Sequence, residues 1–328
     1  MLSQFGFDFS RFVPVKRHPH WLAKFKAAYP FLSSSPSHPA ALRLVLGVGR
    51  SGTSWVSEVL AKTKTRCRFL SEPLSQLRLR LPFQKLGDHT AVEYEELSNQ
   101  HPLYAAYQLL AHRQFDASVL KATKRNDVDW QICLVKEVHA LLGTEGLLRA
   151  WNPPTTFLLH DPIYVADSLF SAQSLGSIYL DHEVRAVQKG AFLERFVPRR
   201  RKVVKRAFAG AERMDERLRT ILSKVICIHL LQEMFSMLAQ EFPCATTIRY
   251  EEFCENPRPT FQSAAESLSV KWDEATDAYL CKTTQADPLL SDPYSIMRNT
   301  AEQKARPFTF LSSKERSLCR SALEGLEA

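Results

Sequence analysis

The chain has 328 residues, 45% of them hydrophobic, enough for one large α/β domain or two small ones with a sizeable core. Its formal charge of +8 suits an anionic cofactor or substrate, but spread over so long a chain it does not argue for nucleic acid. Seven scattered cysteines with no CxxC pair carry no metal-ligand spacing and read as reduced, mostly core thiols of a cytoplasmic protein.

Residues 1–40 read as an arm packed on the surface, with the Ser33 to Pro39 stretch as a linker. Met1 to Arg17 carries Asp8 and Arg11 among aromatics and lacks a long apolar core, so no signal peptide is expected. No apolar run approaches the length of a membrane span, and no transmembrane helix is expected. Residues 41–328 are expected to form one α/β domain.

That domain begins with Leu42 to Leu46, an apolar run predicted to be a buried strand. Gly47, Gly49 and Gly52 follow, and a helix is predicted to start at Thr53 or Ser54 and run through Trp55, Val56, Val59 and Leu60. A strand, a glycine turn and a helix N-terminus make an anion site from backbone donors and the helix dipole. Arg50 and the hydroxyls of Ser51, Thr53 and Ser54 add a fixed charge and more donors, so the loop suits a phosphate or sulfate. A Walker A loop is disfavoured because no Lys precedes Thr53. A dinucleotide fingerprint fits literally as Gly47-x-Gly49-x-x-Gly52, with Glu72 twenty positions on to meet a ribose.

The run Gly47-Val48-Gly49-Arg50-Ser51-Gly52-Thr53-Ser54-Trp55 also resembles the 5′-phosphosulfate loop of sulfotransferases, which hold the sulfuryl donor 3′-phosphoadenosine 5′-phosphosulfate (PAPS). The resemblance implies a three-layer α/β fold with a central, mostly parallel sheet flanked by helices and a P-loop-like nucleotide site. It also implies that Gly49, Arg50, Ser51, Gly52, Thr53, Ser54 and Trp55 bind the donor.

A second strand over Arg66 to Leu70 ends at Glu72-Pro73, and Pro73 leaves Glu72 at the strand's C-terminal end, where open parallel sheets bind ligands. Carbohydrate and bacterial sulfotransferases often carry a Glu-Pro pair at this point; the resemblance implies that Glu72 takes the acceptor proton. Residues 75–130, with 175–215, are expected to be the variable acceptor-pocket segments. Ile132 to Lys136 is a third strand. Lys136 and His139 resemble the family's Lys-x-His element with one residue more between them, so Lys136 would assist the sulfuryl oxygens. His139 is either a second base or a surface histidine.

Thr155 to Leu159 is a fourth strand, followed by His160-Asp161-Pro162 and a helix from Ile163 to Ser171. This resembles the family's 3′-phosphate signature, with Ser168 at the usual offset and His160 where an Arg is usual; donor binding through His160 would be pH-sensitive around its ordinary pKa of about 6.5. The basic stretch Arg199 to Arg206 reads first as a solvated face, with a basic lid over an acidic acceptor as the alternative. Arg217 to Leu238 is a long helix by its apolar spacing, and Ala245 to Tyr250 is a fifth strand. Tyr250-Glu251-Glu252 resembles the family's block near the adenine. Arg298, with Arg306 in reserve, would close over the 3′-phosphate.

The resemblance as a whole implies sulfuryl transfer from PAPS to a hydroxyl or amine of a small molecule or saccharide, with PAP as product and no metal. A Rossmann-type NAD(P) oxidoreductase and an inactive PAPS-like nucleotide- or glycan-binding module are the alternatives.

Overall fold

The computed structural model describes residues 42–64, 67–72, 131–139, 141–172, 180–284 and 307–327. Its centre is a five-stranded sheet of β1 (Leu42–Gly47), β2 (Cys67–Ser71), β3 (Ile132–Glu137), β4 (Thr155–Leu159) and β5 (Ala245–Arg249). The spatial order is β2-β3-β1-β4-β5, and every pairing is parallel. β1, β3 and β4 are apolar almost throughout because helices cover both faces of the sheet.

Strand periodicity divides the core in two. Leu42, Leu44 and Leu46 of β1, with Phe157 of β4, face one layer; Val45 and Leu158 face the other. The first layer is built round α7 (Glu216–Glu241), joined by α2 (Thr144–Trp151), α3 (Pro162–Ser171), α4 (Asp181–Val187), α5 (Gly190–Phe196), α6 (Arg201–Ala211) and α11 (Ser313–Glu327). Phe157 stacks on Phe235 of α7 at 4.7 Å between ring centroids. The second layer holds α1 (Thr53–Leu60), α8 (Tyr250–Glu255), α9 (Pro257–Ser267) and α10 (Glu274–Thr284).

α7 is long and apolar enough to cross a membrane, which the reading of apolar runs did not anticipate; most of it is buried inside the fold, as the central core helix. Its start is fixed by Asp215, whose carboxylate accepts the Leu218 N–H at 2.9 Å. The seven cysteines form no disulfide; Cys133, Cys227, Cys254 and Cys319 are buried and Cys281 is exposed.

Candidate active site

All five strands end on one edge, and the candidate residues gather there: the loop after β1, Glu72 after β2, Lys136 and His139 at and beyond the end of β3, His160 after β4 and Tyr250 after β5. β1 lies between β3 and β4, whose connections run to opposite sides, so the glycine loop opens at the point where strand order reverses. β3 separates β2 from β1. A dinucleotide fold needs its β2 carboxylate beside the glycine loop on an adjacent strand, and this order does not provide it.

The loop itself is shaped for an anion. Arg50 (φ 72°) and Gly52 (φ 95°) are left-handed and Ser51 between them is not, the alternation of an anion-binding backbone nest, with the Ser51 N–H closing the turn on the Val48 carbonyl at 3.1 Å. α1 then begins at Gly52 with no side-chain cap and no acidic residue in its first turn, so its terminal N–H groups keep their positive end of the dipole. The Ser51 hydroxyl is buried and has no hydrogen-bond partner among the described residues. A Cβ on Gly47 would lie 2.7 Å from that hydroxyl, so only glycine leaves the cradle open. This donor set fits a phosphosulfate.

The Arg50 side chain is fixed from across the edge: its Nε donates to Ser168 Oγ at 3.0 Å. The loop residue and the helix residue expected at opposite ends of a bound nucleotide are therefore linked directly. Behind Ser168, the buried carboxylate of Asp167 accepts the backbone N–H groups of Thr309 (3.0 Å), Phe310 (2.9 Å) and Leu311 (2.7 Å). It ties α3 to the segment leading into α11.

Two other expected donor contacts are engaged elsewhere. Trp55 is fully buried; its indole N–H donates to Thr283 Oγ1 at 3.0 Å and its ring packs edge-on against Phe261. Its place is the second core layer, not a ligand contact, because its spacing with Val56, Val59 and Leu60 sets it on the inner face of α1. Tyr250 is also buried, and a Cβ on Gly52 would stand 2.4 Å from its ring. It braces the loop from below.

His160 lies tilted against Tyr250 with ring centroids 4.5 Å apart and parallel to Tyr164 at 6.1 Å, while its carbonyl accepts from Gln232 Nε2 at 2.7 Å. The α3 N-terminus is capped by Asp161, whose carboxylate accepts from the N–H groups of Ile163 (2.7 Å) and Tyr164 (3.3 Å). The positive end of the α3 dipole is thus met by a side chain of the protein. Asp before a Pro at the first helical position is a capping signal that the sequence carried. Arg298 and Arg306 lie outside the described residues.

Glu72, Lys136 and His139 come together although 64 residues separate the first two. Register places Ser71 beside Lys136, and the Glu72 N–H donates to the Lys136 carbonyl at 2.7 Å. The Lys136 ammonium, almost fully buried, then pairs with Glu72 Oε1, and His139 Nε2 lies 3.5 Å from Glu72 Oε2. The hydrogen bond from His139 outweighs burial and, with the Lys136 charge, brings the Glu72 carboxyl down to about 2. Glu72 is itself left-handed (φ 49°), a backbone state this surrounding structure imposes.

Glu137 was not singled out from sequence. Its side chain is fully buried, and Oε1 accepts the N–H groups of both Val138 and His139 at 2.8 Å, fixing the turn that carries the histidine. A carboxylate directly after Lys136, closing a strand that is apolar up to that point, was the available signal.

No family model and no curated protein matches the chain. Among solved structures it is similar to the sulfotransferase domain of the Synechococcus PCC 7002 olefin synthase, at 12% identity over 89% of this chain and 94% of that one, with a TM-score of 0.45. It is similar to the sulfotransferase domain from the curacin biosynthetic pathway at 16% identity, 88% and 99% coverage and a TM-score of 0.44. For mouse sulfotransferase SULT7A1 complexed with PAP the values are 14%, 92%, 90% and 0.43.

Proposed function

We propose that the chain is a sulfotransferase that moves a sulfuryl group from PAPS to a hydroxyl or amine of a small-molecule or saccharide acceptor. The observation that carries this reading is the meeting, on one sheet edge, of an uncapped anion loop bearing Arg50 and the Glu72–Lys136–His139 cluster.

PAPS supplies the sulfuryl group, whose bond to the bridging oxygen of the 5′-phosphate breaks as the acceptor attacks. The N–H groups at the start of α1 and the Ser51 hydroxyl hold the phosphosulfate. Arg50, oriented by Ser168, neutralises charge on the leaving oxygen. A carboxyl held at about 2 stays ionised but is a poor proton acceptor, so the base role expected for Glu72 passes to His139. With Nε2–H directed to Glu72, Nδ1 is the nitrogen that accepts the acceptor's proton, and Glu72 stabilises the imidazolium formed. Lys136 holds the other Glu72 oxygen and keeps the carboxylate in place.

The test is thermal unfolding with added nucleotide. PAP raises the melting temperature and NAD(H) does not, since only a ligand bound by the folded state stabilises it. Stabilisation by NAD(H) and not by PAP overturns the reading.

A further inference from the structure

The basic stretch that the catalytic reading leaves unused is not evenly solvated. In α6, Val204, Phe208 and Ala211 are buried against the core, and the opposite face carries Lys202, Lys205 and Arg206, all exposed. Arg199, in the 3-10 turn before the helix, and Arg213, in the turn after it, are two further exposed cations. Among the described residues none of these five cations meets a carboxylate. Their neighbours do: Arg200 pairs with Glu233, Arg201 with Glu194 and Arg219 with Glu212.

The turn that follows α6 adds an apolar element. Met214, 41% exposed, is the one large hydrophobic side chain exposed among the described residues, and it adjoins Arg213. The two acids of that turn are exposed but have partners within the chain, Glu212 in a 3.9 Å surface pair with Arg219 and Asp215 at the α7 N-terminus. Exposed cations that meet no carboxylate among the described residues, followed along the chain by an exposed thioether, match a surface that offers anionic headgroups and an apolar layer beneath them. A soluble polyanion would use the cations alone.

We infer that the exposed face of α6 and the turn to Met214 form a docking surface for an anionic lipid membrane. The helix is already held by its core face, so no segment has to fold on contact. The attraction acts only within about one Debye length, roughly 8–10 Å at physiological salt, so this face must lie against the bilayer.

The test is co-sedimentation of the full chain with phosphatidylcholine vesicles, with and without roughly 30% phosphatidylserine, at about 0.1 M salt. Heparin serves as the soluble polyanion. Binding is expected only with phosphatidylserine. It should fall at least ~10-fold in Lys202→Glu/Arg206→Glu and severalfold in Met214→Ser, with melting temperatures unchanged and heparin binding of Met214→Ser unaltered. Equal binding to both vesicles, vesicle binding that survives the charge reversal, or heparin binding without vesicle binding overturns the inference; the last makes a soluble polyanion the partner.

Discussion

Arg50 Nε donates to Ser168 Oγ at 3.0 Å, joining two residues 118 positions apart. Arg50 leaves β1 in a left-handed turn, and Ser168 projects from α3 after β4, the strand beside β1. Adjacent strands thus set the charge of the loop and the hydroxyl that aims it.

This pair makes a first prediction. In the proposed mechanism Arg50→Ala removes the charge set against the leaving oxygen, and it should lower kcat at least ~100-fold with donor saturating. Ser168→Ala keeps the charge but frees its direction, and should cost roughly 10- to 100-fold, the worth of a hydrogen bond to a charged group. Steady-state kinetics with a panel of acceptors checks both. A Ser168→Ala enzyme with a lowered melting temperature and unchanged kcat would assign the bond to stability alone.

Gly52 supports a second prediction. It is left-handed at φ 95°, and a Cβ there would lie 2.4 Å from the Tyr250 ring. Gly52→Ala should destabilise the protein by more than the ~1–2 kcal/mol of an L-residue in that conformation, because the ring must also move. In Gly52→Ala/Tyr250→Ala the loss should be smaller than the sum of the single losses. Urea unfolding of the four proteins measures the cycle; additivity would mean that Tyr250 is not what requires the glycine.

A third prediction concerns acid stability. Ser312 and Glu315 form a reciprocal cap at the start of α11, with Ser312 N–H on Glu315 Oε2 at 2.7 Å and Arg217 Nε on Oε1 at 2.7 Å. Burial opposes the charge, but the Arg217 and Ser312 contacts hold the Glu315 carboxyl down to about 2, against an ordinary value of 4.5. Because the folded-state value is the lower one, this stabilisation is present above pH 4.5 and is lost as pH falls from 4.5 towards 2. Glu315→Gln should therefore lower stability by about 1 kcal/mol or less at pH 7, with the difference shrinking in acid. Melting curves of both proteins across that range test it; a difference that grows in acid contradicts the sign.

The strands were legible because a parallel sheet covered on both faces is written as short apolar runs. Thr155–Leu159 has the expected ends, and β1, β3 and β5 differ by one residue. The expected glycine turn between strand and helix also stands where the motif put it. Strand order was not legible, since nothing local places β3 between β1 and β2, and that order is what removes the dinucleotide reading. Trp55 shows a different failure: its motif position suggested a ligand, while its helical spacing already set it in the core. The helices α4, α5 and α6 were not legible because the apolar positions of this stretch, such as Val187, Phe192, Phe196, Val204 and Phe208, belong to three short helices and form no single periodic run across the basic cluster.

The last prediction separates two bases. Glu72 and His139 both lie at the edge, but the His139 hydrogen bond and the Lys136 charge hold Glu72 at about 2, so it remains a carboxylate of low basicity throughout the working range. If Glu72 took the proton, kcat/KM would stay level down to its own titration, with no acidic limb at neutral pH. If His139 takes it, kcat/KM should fall about tenfold per pH unit below a limb in the imidazole range, between about pH 5.5 and 7.5. His139→Ala should then lose about 10²–10⁴-fold in kcat. Glu72→Gln removes the anion facing the imidazole; a neighbouring carboxylate favours the protonated ring, so its loss should move the limb to lower pH as well as slow turnover. Glu137→Gln, which disturbs the turn behind His139, should lower kcat while leaving PAP binding unchanged. The pH–rate profile of the unaltered enzyme decides the matter. A profile level from pH 5 to 8, together with a His139→Ala enzyme that turns over normally, would return the base role to Glu72.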